Sequence, residues 1–230
     1  MQDDAEADAH PDLSAVGLFP LPNVVLFPRA VLPLHIFEER YKAMTADALV
    51  GQRRIAMALL RPGWEKNYYG RPQIEPVVCV GRILPGHERL PDGKYNFFLQ
   101  GELRARIVKE HPPVDGRLYR VARLEPIPQT PVLDIDLDEH RQRLLEMFTD
   151  GPLSRACLAK QFRQMLTGVW PVSAVADLIA FHLLEDISLK QSLLAEPDTQ
   201  SRVARTIHAL NAAAPMLAAV AGSTSELNMN

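Results

Sequence analysis

The residues whose chemistry could support catalysis or metal binding are few and widely spaced in this sequence. Its two cysteines are Cys79, inside an apolar run, and Cys157, beside Leu158 on a helical pattern. A thiol in such surroundings is more often a small buried hydrophobe than a nucleophile. His182 and Glu185 lie one helical turn apart, but zinc motifs of the H-E-x-x-H and H-x-x-E-H types need a second histidine that is absent. We expect no metal site, and we interpret His182 as a buried, hydrogen-bonded histidine.

The sequence also offers no pattern for nucleotide hydrolysis or acyl transfer. The closest approach to a P-loop runs from Gly86 to Lys94. There the glycines are too far apart, and Tyr95 replaces the Ser or Thr that would hold magnesium. Neither G-x-S-x-G nor S-x-x-K occurs. We therefore predict that the protein is not an enzyme and has no catalytic residues, cofactor or bound metal.

One polar loop carries a group of aromatic side chains. Residues 61–73 contain Trp64, Tyr68 and Tyr69 among glycine, lysine and asparagine. Large aromatics in a polar loop are good anchors for a protein partner, so these three are the candidate peptide-binding residues. An equally weighted alternative is that they fix the loop to the body of the protein.

The charge distribution argues against nucleic acid as a partner. The formal net charge is -3 and the isoelectric point is about 6.2. Arg104 and Arg106 alternate with apolar residues along a predicted strand, and Arg202 and Arg205 fall on a predicted helix, so both pairs are expected on solvated faces. Binding of RNA would instead require aromatic residues interleaved with a basic field.

The elements that must position these residues change in type along the chain. Short apolar runs broken by proline and glycine indicate strands up to residue 127, including residues 77–84 and 99–107, and the Asp92-Gly93 pair between them favours a hairpin. Gly101 lies on the apolar register of the second strand, at a candidate bulge. Residues 37–49 have helical spacing. After three closely spaced prolines, the apolar period becomes helical, with Ser188 and Asp198 as candidate helix caps.

These patterns predict an α+β fold with four parts. Residues 1–15 form an acidic tail that we expect to be disordered, residues 16–128 a β-rich subdomain, residues 129–221 a helical bundle, and residues 222–230 a flexible tail. The apolar and charged fractions, 47% and 23%, are those of a globular protein. We expect no secretory signal, membrane span or disulfide framework, and hence a cytoplasmic protein.

Two ordered blocks of sequence resemble a known family. Residues 18–44 read LFPLPNVVLFPRAVLPLHIFEERYKAM, and residues 80–108 read VGRILPGHERLPDGKYNFFLQGELRARIV. Both are similar to the substrate-binding N-terminal (LON) domain of Lon proteases, specifically to stand-alone bacterial LON-domain proteins. The resemblance covers residues 16–195 and implies a PUA-like pseudo-barrel followed by a helical bundle. Arg29 departs from the glycine that is common in the family, which predicts a different backbone conformation at that turn.

The resemblance implies a non-catalytic module that recognises unfolded or partly folded polypeptides. Its role would be that of an adaptor or regulator in proteolysis, with a protease engaged in trans, and we expect a monomer or dimer. Incomplete strands near residues 24–34 could also accept an extended peptide as an added strand. Two alternatives remain: a PUA-like nucleic-acid-binding module, and an ATP-dependent protease, which the missing P-loop and Ser-Lys dyad disfavour.

Overall fold

The α+β architecture expected from the sequence is present in the computed structural model, which describes residues 11–156 and 158–227. Within these residues the strands are β1 Val16–Leu21, β2 Val31–Ile36, β3 Arg54–Leu59, β4 Val77–Ile83, β5 Glu88–Arg89, β6 Tyr95–Glu110 and β7 Arg120–Pro126. The helices are α1 Glu39–Val50, α2 Asp138–Thr149, α3 Ala159–Thr167, α4 Val172–Leu183, α5 Ile187–Ala195 and α6 Thr199–Leu227.

Five of the described strands close into a barrel-like ring. Their order is β6-β4-β3-β1-β7, and β7 returns to pair with β6. β1 and β3 are parallel, whereas the other pairs are antiparallel. β6 is long enough to pair at its first half with β2 and β5 as well, so it organises the whole sheet.

The hairpin predicted around Asp92-Gly93 is present. Gly93 has a φ of 79°, in the left-handed region that glycine adopts without strain. Its N–H donates to Leu90 O at 2.9 Å, and Leu90 N–H donates to Lys94 O at 2.8 Å. This turn leads directly into β6, whose register on β4 it helps to set.

A bulge in β6 changes which side chains face the helices. Gly81 pairs with Gly101, but Val80 pairs with Leu103, so Glu102 is the extra residue. Side chains alternate strictly along a strand, and one inserted residue therefore exchanges the two faces beyond it. Leu99 lies on the helix-facing side, whereas Leu103 and Ala105 lie on the opposite side. The alternation predicted along this strand would place all three residues on one face, and the bulge interrupts it, so that part of the prediction is wrong.

Arg104 is turned inward by the same bulge. It pairs with Cys79, whose side chain belongs to the core beneath the helices, and only 4% of Arg104 is exposed. Arg202 on α6 is 1% exposed. The expectation that both arginines are solvated is therefore wrong. Arg106, by contrast, is exposed as predicted.

The sheet is buried on both faces by two separate apolar clusters. The residues of β3 alternate between them: Ile55 and Met57 join the large cluster, which also contains α1 to α6 side chains, and Ala56 and Ala58 join the small one. Because the large cluster includes strand and helix residues together, the barrel and the bundle share a core.

The helical half largely follows its sequence signals. Asp198 caps α6 by accepting a hydrogen bond from Ser201 N–H at 2.7 Å, as expected. The cap of α5 is Asp186, which accepts from Leu189 N–H at 2.9 Å, and Ser188 lies inside the helix instead. α6 continues to Leu227, through part of the segment after residue 221 that the sequence predicts to be flexible.

A buried ion network joins the two halves. The Asp177 carboxylate on α4 accepts hydrogen bonds from Arg104 Nη2 at 2.6 Å and from Arg202 Nε at 3.2 Å. Arg104 Nε also donates to Leu194 O, and Arg202 Nη1 to Glu196 O. The Asp177 carboxylate thus links β6, α4 and α6, and Arg104 extends the network to α5 through Leu194 O.

We predict that Gly101→Ala lowers the free energy of unfolding by about 3 kcal/mol, because a Cβ at this position would lie 2.1 Å from Phe27 O. Urea denaturation measures the loss. Gly86→Ala is the control, since its φ of 88° costs about 1 kcal/mol but nothing lies within 4 Å of the new Cβ. Equal losses for the two variants would contradict the close approach at the bulge.

We predict that Asp177→Asn costs about 3 to 5 kcal/mol, because two buried guanidinium groups would lose their shared counter-charge. The midpoint of urea unfolding should fall sharply. Asp134→Asn removes an equivalent charge from a surface pair with Arg141 at 3.3 Å and should cost less than about 1 kcal/mol. A small loss for Asp177→Asn would show that Arg104 and Arg202 do not depend on this carboxylate for their counter-charge.

Candidate functional site

The aromatic loop projects from two paired strand extensions. Arg61 N–H donates to Gln73 O at 2.9 Å, and Leu60 forms an isolated bridge with Ile74. Gly63, in the left-handed conformation, precedes a short 3₁₀ turn at Trp64–Asn67. The base of the loop is therefore fixed, and its aromatic residues lie on the turn and just after it.

The three predicted binding residues form a continuous row of rings. Trp64 and Tyr68 meet edge to face with centroids 5.4 Å apart, and Tyr68 and Tyr69 do so at 5.2 Å. Such arrangements are favourable for aromatic pairs. Trp64 and Tyr68 are half-buried, whereas Tyr69 is 90% exposed. We call Trp64, Tyr68 and Tyr69 the aromatic row.

Tyr68 is the member that anchors the loop. Its hydroxyl donates to Glu38 Oε1 at 2.8 Å, at the start of α1. Arg40 Nη1 donates to the Tyr68 carbonyl at 3.1 Å, and the guanidinium lies over the rings of Tyr68 and Tyr41. Burial raises the pKa of Tyr68, and the hydrogen bond to Glu38 raises it further, so the hydroxyl stays protonated.

A groove lies beside Trp64, between the sheet and α5. Its volume is about 410 Å³. Its walls are mainly apolar, from Leu59, Leu60, Val77 and Ile187, with several prolines. Further lining residues supply polar groups: Glu75, Ser188, Gln191 and Ser192. We call this surface the Trp64 groove.

A smaller pocket of about 60 Å³ lies on the other side of the aromatic row. Tyr68 and Tyr69 line it together with Tyr41, Tyr119 and two arginines, Arg40 and Arg120. Burial, followed by the 2.6 Å hydrogen bond to Asp47, raises the pKa of Tyr119 to about 12. This tyrosine-lined pocket is thus aromatic, and its two arginines are each paired with a glutamate, Arg40 with Glu38 and Arg120 with Glu110.

The row of aromatics therefore separates two concave surfaces, and its members have different roles. Tyr68 fixes the loop, Trp64 forms part of a groove wall, and Tyr69 is open to solvent. The sequence does not indicate Arg40, Tyr119 or Ser188 as neighbours of the row. No local signal could have found them, because they lie far from the loop in sequence.

The other chemically capable residues do not assemble into a site. Cys79 is fully buried in the core, as predicted, and burial raises the pKa of its thiol. Cys157 lies outside the described residues.

His182 is exposed, so the expectation of a buried histidine is wrong. Among the described residues, no three His, Cys, Asp or Glu side chains cluster as metal ligands, and no helix is long and apolar enough to cross a membrane.

Solved structures identify the fold class. The N-terminal domain of a Mycobacterium avium complex Lon protease superposes with a TM-score of 0.65 at 16% identity, covering 85% of this chain and 97% of that one. A Lon N-terminal domain protein from Xanthomonas campestris gives a TM-score of 0.58 at 20% identity, covering 85% and 98%. The barrel followed by a helical bundle is therefore the fold of Lon N-terminal domains.

The family follows from the sequence match. Residues 15–212 match the family model described as the ATP-dependent protease La (LON) substrate-binding domain. The chain belongs to this family.

Arg29 stands where the family commonly has glycine, and this departure predicts a different backbone conformation there. That prediction is wrong, because the φ of Arg29 is 68°, in the left-handed region that glycine favours.

The curated relatives are much longer proteins. Lon protease from Dictyoglomus thermophilum is 25% identical over 199 residues, which cover 84% of this chain and 24% of that protein. Lon protease from Paraburkholderia phytofirmans is 29% identical over 217 residues, covering 90% and 25%. The chain spans about a quarter of the length of the relatives it matches, namely the part that the family model describes as substrate-binding.

We predict that Tyr68→Phe lowers the free energy of unfolding by about 1 kcal/mol, because its hydroxyl is hydrogen-bonded to Glu38 in a half-buried position. Tyr69→Phe is the matched control and should be neutral, since that side chain is exposed. Chemical denaturation of the two variants tests the assignment. Equal losses would contradict the separate roles given to these tyrosines.

Proposed function

We propose that this protein is a polypeptide-recognition module without catalytic activity of its own, which serves as an adaptor or regulator in proteolysis. The observation that carries the proposal is the aromatic row at the edge of an apolar groove. Exposed aromatic area next to a concave apolar surface is typical of protein-binding sites. Membership of the substrate-binding family supports the same conclusion.

The Trp64 groove suits an extended apolar segment. Trp64 and Ile187, the partly exposed members of its wall, offer contact to aliphatic or aromatic side chains of a client. The exposed hydroxyl of Ser188 offers a hydrogen bond to its backbone. A segment that is buried in a folded protein cannot reach such a groove, so this geometry favours unfolded or partly folded chains.

The anchoring of Tyr68 keeps the binding surface ordered before a client arrives. Because Glu38 and Arg40 hold this side chain, Trp64 and Tyr69 are held on either side of it. Ordering a loop during binding costs free energy, and a preformed row avoids part of that cost. We assign Trp64 and Tyr69 to client contact and Tyr68 to positioning.

The wider role that we propose is transfer of bound clients to a protease supplied in trans. The module would act in the cytoplasm as a monomer or dimer.

Fluorescence anisotropy with permanently unfolded, carboxymethylated α-lactalbumin tests the proposal. The parent protein should bind it saturably, and Trp64→Ala and Tyr69→Ala should each weaken binding by about fivefold or more, as expected for truncated interface anchors. Tyr68 is left intact, so that the loop keeps its conformation.

Phe37→Ala is the control variant, since Phe37 is an aromatic residue with 60% of its surface exposed outside the aromatic row. It should bind the unfolded protein as the parent does. Equal binding by all four proteins would exclude the aromatic row as the client site, and no binding by the parent would refute polypeptide recognition.

A further inference from the structure

Another cavity lies where the barrel meets the bundle, away from the aromatic row. Its volume is about 280 Å³. It is lined by Arg29 from the turn before β2, by Arg104 from β6 and by Arg202 from α6. A water molecule occupies about 30 Å³ of liquid, so this space holds several waters or one polyatomic ion.

Positive charge exceeds negative charge around this cavity. Arg104 and Arg202 are both buried, and among the described lining residues they share one buried carboxylate, that of Asp177. The other acidic lining residue, Glu102, is already paired with Arg54 at 2.7 Å and Arg82 at 2.5 Å. Burial, and then the nearby charge of Arg104, lower the pKa of Arg202.

Arg29 adds a third cation at the mouth of the cavity. Its backbone is fixed, because its N–H donates to Gly101 O at 2.7 Å. Its guanidinium lies 5.6 Å from the ring centroid of Trp170. The side chain is therefore held by the bundle although its backbone belongs to the barrel.

We propose that this cavity binds an oxoanion, a carboxylate or phosphate group, between Arg29, Arg104 and Arg202. Guanidinium groups present planar pairs of N–H donors that match the oxygens of such groups. The first turn of α4, at Ser173 and Ala174, also lines the cavity, and a helix N-terminus is favourable for negative charge. The bound anion supplies the counter-charge that Asp177 alone leaves incomplete.

This site is independent of the proposed client surface, because the two share no lining residues. Two kinds of ligand could carry such an oxoanion. A phosphate group would come from a small metabolite or inorganic phosphate, and a carboxylate from a small acid or a peptide C-terminus. Both are compared directly in the experiment below.

The experiment is isothermal titration calorimetry of the whole chain with inorganic phosphate and, separately, with N-acetylglycine, at constant ionic strength. The parent should bind one equivalent of at least one of these anions saturably. Arg29→Gly should weaken binding by about fivefold, the effect expected of losing one solvent-accessible charge. It also suits the left-handed backbone at position 29, so folding should be retained.

Arg53→Gly is the matched control. Arg53 also has a positive φ, of 58°, and loses the same charge, but it does not line the cavity. It should bind as the parent does. Absence of saturable binding to both anions, or equal weakening by the two glycine variants, would overturn the proposal.

A further variant tests the site by adding a negative charge to it instead of removing a positive one. Ser173→Asp places a carboxylate in the first turn of α4, at the cavity wall, and should supply the anion internally. We expect a higher melting temperature and loss of binding of the added anion. A lower melting temperature with anion binding unchanged would contradict an anion site at this position.

Discussion

The Asp177 carboxylate is the interaction on which the arrangement of barrel and bundle depends. It lies on α4 and accepts hydrogen bonds from two arginines. Arg104 belongs to β6, the longest described strand, and Arg202 belongs to α6, the longest described helix. Buried charges are costly unless they are paired and hydrogen-bonded. The network therefore contributes less to net stability than to uniqueness, because other dockings of the helices would leave a guanidinium without its partner.

The sequence predicts the elements of the fold but not this junction. Helical periodicity, the Asp92-Gly93 turn and the cap at Asp198 are local signals, and each is confirmed. The orientation of Arg104 depends on one extra residue in β6, next to the close approach of Gly101 to Phe27. Because that contact joins residues distant in sequence, strand alternation alone assigns Arg104 to the wrong face.

The candidate client site shows the same division between local and long-range information. A polar loop with several aromatic residues is recognisable from its composition, and Trp64, Tyr68 and Tyr69 do lie together. Their different roles come from Glu38, Arg40 and the α5 surface, which meet the loop only in the folded protein. Composition thus identifies the loop, and the packing of α1 and α5 against it determines which ring is open to solvent.

The shared core also constrains how the protein can fold. Strand residues reach the large cluster together with helices that follow roughly 70 residues later, and Arg104 meets Asp177 across a separation of 73 residues. Contacts between such distant segments form slowly, because long loops must close first. We infer that the barrel, folded without the helices, would expose one apolar face and an unpaired arginine. The two halves are therefore expected to unfold in one cooperative transition.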